Sequence, residues 1–286
     1  MAEPASSARH GARSRGETAG SCFGDTMLRS SMETFFGMLG LLLAAVLAGA
    51  LNSVAGGGSL ISFPSLVASG QPAILANATN TAALWPGTLS SAVAYRHEAA
   101  AHKALLPTLV VPSAVGGLLG ALVLVNTPPA LFDRVVPFLV LFATALFALR
   151  RRISRWTGAS THGEERVTTG GRIGGFLFQF FVATYGGYFG AGIGILMLAS
   201  LSLMGLRDIH QMNGVKTILG TLINVIAFVF FAVKGLVVWP LAALMAVGAM
   251  TGGYLGARMA MRIDQRWVGR FVIAIGLGVT IWLFVR

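Results

Sequence analysis

The stretch Val54-Ala55-Gly56-Gly57-Gly58-Ser59-Leu60-Ile61 interrupts an apolar run that carries no Asp, Glu, Lys, Arg or His between Glu33 and Arg96. Three successive glycines end a helix, because each costs about 1 kcal/mol relative to alanine in a helix interior and tolerates turn geometry. On the N-terminal side, residues 34 to 54 are long enough to cross about 30 Å of hydrocarbon at 1.5 Å per residue. On the C-terminal side, residues 59 to 69 are apolar but end at Gly70 and Pro72. That segment rises only about 17 Å, half of a membrane, and is expected to be a half-helix.

The pattern extends outward. Residues between Lys103 and Asp133, Arg134 and Arg150, and Arg172 and Arg207 are equally free of charge, and so are the runs after Lys216, Lys234 and Arg270. Charged residues make up 11% of the chain and hydrophobic ones 55%, against roughly 25% charged in an average soluble domain. The composition is that of an all-α integral membrane protein. The net charge of +11 points to cations flanking membrane spans rather than to nucleic acid, because the arginines lie in short connections and form no basic module. With Cys22 as the lone cysteine, no disulfide or cysteine metal site forms within one chain. Residues 1 to 32 read as a disordered tail without the apolar core of a signal peptide, with Met27 and Met32 as alternative starts.

A second glycine break, Gly190-Ala191-Gly192-Ile193-Gly194, lies in the C-terminal half. Subtracting 136 places Gly192 on Gly56, Gly194 on Gly58, Asn213 on Asn77, Thr217 on Thr81, and Gly252, Gly253 and Gly256 on Gly116, Gly117 and Gly120. A constant offset over some 60 positions marks a tandem repeat. The expected organisation is a first membrane repeat over 33 to 149, a cytoplasmic loop over 150 to 172 and a second repeat over 173 to 286. Each repeat has about five helical segments, with helices of the first near 77 to 95, 104 to 125 and 131 to 149 after the half-helix. An odd number of segments inverts the second copy. Lys and Arg counts agree: 96 to 103, 150 to 172, 205 to 211 and 258 to 270 hold thirteen, against three at Arg134, Lys234 and Arg286. Only the arginines of the tail, on the expected outer side, run against this bias.

Irregular chain at membrane depth must be buried or line a cavity. Half-helices that start at the two breaks would aim free N–H groups and a positive dipole end at a common point, a ready anion site. Gly56, Gly57, Gly58 and Ser59, with Gly190, Gly192 and Gly194, are therefore candidate binding residues. Close helix packing is the competing reading, and it is the preferred one for Gly116, Gly117, Gly120 and their counterparts. A polar cluster opens the next helix of each copy: Asn77, Thr79, Asn80 and Thr81, then Asn213, Lys216 and Thr217. These side chains can hydrogen-bond an oxyanion, and Lys216 either adds a positive charge to the site or snorkels to the nearby interface. No His or carboxylate falls clearly inside a span, so haem ligation, a metal centre, an intramembrane protease and a carboxylate proton relay lack their residues. Neither an enzyme nor a cofactor is expected. An anion leaving a negative interior gains about 2.3 kcal/mol per charge per 100 mV and needs no proton partner.

The run Ala55-Gly56-Gly57-Gly58-Ser59-Leu60-Ile61 with Pro64, the segment Ala76-Asn77-Ala78-Thr79-Asn80, the second glycine break and Asn213-Gly214-Val215-Lys216 resemble the TauE/SafE sulfite exporter family. The resemblance covers about residues 34 to 286. It implies a multi-pass transporter of the bacterial inner membrane that exports a small anionic solute: sulfite, an organosulfonate or a related oxyanion. A non-transporting membrane subunit that docks a partner through loop 150 to 172 is the alternative.

Overall fold

The glycine break divides the first apolar run. Helix α1 spans Phe36–Val54 and helix α2 spans Ser59–Ala68, with Gly56 at φ +75° between them. These features belong to a computed structural model that describes residues 36–54, 56–100, 105–156, 169–204, 206, 208–259 and 265–285. The chain from Leu41 onward forms one compact unit, and before it only the first turn of α1 is described. The tail 1 to 32 lies outside the described residues, as do residues 157–168 of the expected loop.

After α2 come α3 (Ala73–Ala94), the single turn α4 (Arg96–Ala100), α5 (Leu106–Asn126) and α6 (Pro129–Trp156). The second half runs α7 (Thr169–Tyr188), α8 (Ile193–Leu203), α9 (Ile209–Val233), α10 (Trp239–Met259) and α11 (Gln265–Val285). No strand occurs among the described residues. Among the described residues, five helices are long and apolar enough to cross a membrane: α1, α5, the part of α6 up to Leu149, α9 and α10. Their outward faces carry large apolar side chains such as Phe138 and Val247, each about 60% exposed, as a lipid-facing surface requires. The chain is a multi-pass membrane protein.

Several boundaries depart from the sequence expectation. Helix α3 begins at Ala73, directly after Pro72, and α9 begins at Ile209, where Asp208 accepts hydrogen bonds from the N–H groups of His210 and Gln211. The polar clusters at Asn77 and Asn213 therefore occupy second helical turns rather than helix starts. Helix α6 continues past residue 149 to Trp156, and α7 starts at Thr169, so helix takes up both ends of the 150 to 172 segment. Trp85-Pro86-Gly87 lies within the continuous helix α3.

The two breaks share one geometry. The N–H of Gly56 donates to the carbonyl of Leu51, and the N–H of Gly190 donates to that of Tyr185. Both glycines have positive φ, and Gly58 and Gly192 are the N-caps of α2 and α8. Geometry thus pairs Gly56 with Gly190 and Gly58 with Gly192, two residues away from the pairing by a 136 offset. Helices α3 and α9 keep that offset, starting at Ala73 and Ile209. The two extra residues are absorbed between the start of α8 and the start of α9.

The small residues of α5 and α10 explain how the halves pack. A Cβ on Gly116 or Gly120 would strike the backbone of α7 at Phe180 and Thr184, and one on Gly252 or Gly256 would strike α1 at Val46 and Ala50. Likewise Gly117 abuts Ile223 of α9, and Gly253 abuts Gly87 of α3. Each contact is matched by one between counterpart residues with the halves exchanged, so each half supplies the helix that closes the other. These glycines are packing residues, as preferred from the sequence. Gly120→Val and Gly256→Val should each cost about 1–3 kcal/mol through overpacking. Both should lower the thermal midpoint of the detergent-purified protein, whereas Gly278→Val, in open space on α11, should leave it unchanged.

Candidate functional site

The C-terminal ends of α1 and α7 and the N-terminal ends of α2 and α8 converge. A Cβ on Gly194 would lie 2.5 Å from the Cα of Gly56, and one on Gly56 would overlap Gly194 in turn. The two breaks touch with no room for a methyl group. Side chains outside the breaks hold this arrangement. The N–H of Gly58 donates to Asn52 Oδ1 at 2.8 Å, the Tyr185 hydroxyl donates to the carbonyl of Ala191 at 2.7 Å, and Phe63 of α2 meets Phe189 edge to face at 5.2 Å.

Beside the contact lies a cavity of about 30 Å³, counted as space for the centre of a water-sized sphere. That is room for two or three waters, the scale of one small polyatomic anion. Its wall includes Gly56, Ser59, Asn80, Thr81, Gly190, Gly194, Lys216 and Thr217 of the residues expected from the sequence. Many lining residues are counterparts of one another: Gly56 with Gly190, Asn80 with Lys216, Thr81 with Thr217. The first turns of α2 and α8 begin here; Leu60 and Ile61 donate to the carbonyls of Gly57 and Gly58, and Ile193 and Ile195 to those of Gly190 and Gly192, which leaves the N–H groups of Ser59 and Gly194 to face the cavity.

The other expected residues sit beside the cavity and not in its wall. Gly57 is packed against the Phe147 ring and Gly192 against Ala143, both on α6, while Gly58 faces the backbone of Ala48. Asn77 donates from Nδ2 to the carbonyl of Tyr188 at 2.9 Å, at the end of α7. Asn213 accepts a hydrogen bond from Lys216 Nζ at 2.7 Å.

Lys216 does not snorkel. Its side chain is 3% exposed, and Nζ also donates to the carbonyls of Asn52 and Ser53, each at 3.2 Å. It therefore caps the broken C-terminal end of α1, where orphan carbonyls and the negative dipole end favour a cation. The three acceptors that the ammonium reaches are all neutral oxygens; Glu98, whose Oε2 is buried on α4, makes no ion pair with it.

Three polar lining residues were missed from the sequence, Asn52, Thr88 and Asn224, along with Gly220 and the apolar Leu84, Phe189, Ile193 and Met197. Thr88 and Asn224 lie two helical turns after Thr81 and Thr217 and share their faces. Extending the polar cluster by seven residues in each copy would have found them. Asn52 sits one turn before the break, where an Asn reads from sequence as an ordinary capping residue.

The sulfite exporter TauE/SafE family matches residues 41–283 of the chain. The chain belongs to that family. Curated relatives in the same family range include the "Probable membrane transporter protein" of Haemophilus influenzae, 26% identical over 241 residues, covering 84% of this chain and 91% of the relative. The "Probable membrane transporter protein ORF9" of a Sinorhizobium species is 28% identical over 250 residues, covering 85% and 90%. The Escherichia coli "Probable membrane transporter protein YfcA" is 26% identical over 257 residues, covering 85% and 91%. No solved structure matches. The TauE/SafE chain is thus a membrane transporter, and the cavity beside its glycine breaks has both polar and apolar side chains in its wall.

Lys216→Met should leave three buried acceptors without their donor, at about 1–3 kcal/mol for each unsatisfied group. The thermal midpoint should fall clearly below that of Lys234→Met, which removes an exposed lysine at the end of α9.

Proposed function

We propose that this TauE/SafE transporter exports a small sulfur oxyanion, sulfite, an organosulfonate or a related anion, across a bacterial inner membrane, and binds it in the cavity between the two glycine breaks. The observation that carries this reading is a cavity with the Lys216 ammonium and several amide and hydroxyl groups in its wall and no Asp or Glu among its lining residues. A cation without a carboxylate partner favours an anion by Coulomb attraction that weakens little in a low-dielectric site. The side-chain amides of Asn80 and Asn224, with the N–H groups of Ser59 and Gly194, supply the hydrogen bonds an oxyanion needs, while the Thr81 and Thr217 hydroxyls already donate to the carbonyls of Asn77 and Gly214. The family description names sulfite export, and this supports the choice of solute.

The two halves act as inverted repeats. The reciprocal packing of α5 on α7 and α10 on α1 supports a two-fold relation, and the Lys and Arg bias of the connections supports its inversion. The half-helices α2 and α8, with 10 and 11 residues, then reach about half the hydrocarbon thickness and start near its midplane. Rocking of one half against the other about the Gly56 and Gly194 contact opens the cavity to each side in turn. Gly57, Gly58, Gly192, Asn77 and Asn213 support the lining residues rather than touch the solute. The membrane potential drives the exit of the anion by about 2.3 kcal/mol per charge per 100 mV.

In proteoliposomes, Gly58→Leu and Gly194→Leu should abolish sulfite flux while the protein still inserts, because each leucine would collide with backbone at a break. Wild-type flux in both variants would overturn the assignment. Asn224→Leu should raise the half-saturating sulfite concentration by roughly tenfold, the loss of about one net hydrogen bond from the cavity wall.

A further inference from the structure

The two broken helix ends are built from counterpart residues, but only one of them holds a cation. At the end of α1, the Lys216 ammonium sits among the carbonyls of Asn52 and Ser53 and Oδ1 of Asn213. The break geometry pairs Asn52 and Ser53 with Gly186 and Gly187 at the end of α7, and the common offset of α3 and α9 pairs Asn213 with Asn77 and Lys216 with Asn80. Each of the three oxygens around the ammonium thus has a counterpart oxygen in the other half. The lysine does not: a shorter asparagine stands in its place, and Ser62 Oγ donates to its Oδ1.

The counterpart oxygens are unsatisfied. Asn77 is 1% exposed and its Oδ1 has no hydrogen-bond partner among the described residues. Its amide is anchored through Nδ2 to the carbonyl of Tyr188, so Oδ1, on the same carbon, is held at the end of α7. Gly186 and Gly187 are buried, and their carbonyls accept no hydrogen bond among the described residues, because the N–H of Gly190 bonds to Tyr185 instead. A buried acceptor without a donor costs about 1–3 kcal/mol, and a helix C-terminus adds a negative dipole end.

We propose that the end of α7 binds a sodium-sized monovalent cation through Asn77 Oδ1 and the carbonyls of Gly186 and Gly187, in the place that the Lys216 ammonium fills at the end of α1. Neutral oxygens alone select a hard, singly charged ion, since Ca²⁺ and Mg²⁺ sites draw on carboxylates and none is buried nearby among the described residues. With the ion bound, each broken helix end carries one positive charge and the cavity lies between them. Two flanking charges balance a dianion. This last consequence rests on the anion reading above; the cation site does not.

The test uses the full-length protein in detergent at constant ionic strength, with choline chloride replaced stepwise by sodium chloride and the thermal midpoint as readout. The wild type should rise saturably, on the order of 5 °C at saturating sodium. Asn77→Ala should lose the rise. Asn80→Lys, which builds the missing ammonium, should also lose it while melting in choline at or above the wild-type midpoint, so loss of response is separated from loss of folding. A wild type that melts at the same temperature in both salts overturns the site, and so does a sodium response that survives in both variants. In a second arm, sodium should lower the half-saturating sulfite concentration about tenfold in the wild type only. A sodium response without any sulfite response would count against the anion reading and leave the cation site standing.

Discussion

Backbone that leaves a helix inside a membrane must find partners for its N–H and C=O groups, because lipid offers none. Both halves of this protein break a helix at depth, and most of the polar contacts near the cavity answer that one demand. Asn52 takes the N–H of Gly58, Tyr185 donates to the carbonyl of Ala191, Lys216 caps α1 and Asn77 caps α7. The cavity is the space left where the four broken ends come together with both glycine hinges in contact. The residues that satisfy the broken ends and the residues that line the cavity are therefore close neighbours, and Asn52 and Lys216 belong to both sets.

The exchange of helices between halves makes this arrangement possible. Helix α5 closes against α7 and α10 against α1 through glycines that let backbones approach without an intervening side chain. Neither half encloses its own break. Phe147 and Ala143 of α6 cover Gly57 and Gly192, one glycine from each break, so a single helix braces both.

Much of this architecture was legible in the sequence, since charge-free runs and glycine breaks are direct consequences of lipid as solvent. The offset between copies relates α3 to α9 to the residue, but it misaligned the breaks by two because the difference in length lies between α8 and α9. Helix starts were misjudged where the deciding signal was a single residue, Pro72 for α3 and Asp208 for α9. Of the candidate residues, Asn80, Thr81, Lys216 and Thr217 line the cavity, whereas Asn77 and Asn213 turn toward helix ends. Spacing along a helix tells which face a residue shares; it does not tell whether a side chain reaches a solute or a neighbouring carbonyl. Lys216 illustrates the point. Its proximity to an interface suggested snorkelling, and only the position of the α1 terminus shows why it reaches inward.

The pairing of Asn80 with Lys216 gives a nearly symmetric chamber a built-in polarity. A pyramidal oxyanion has a distinguishable apex and base, and a wall charged on one side would orient it. The two half-cycles of a rocking motion would then meet the same solute from chemically different directions. Unequal affinities on the two faces of the membrane would follow from one substitution between duplicated halves, without any change in the scaffold.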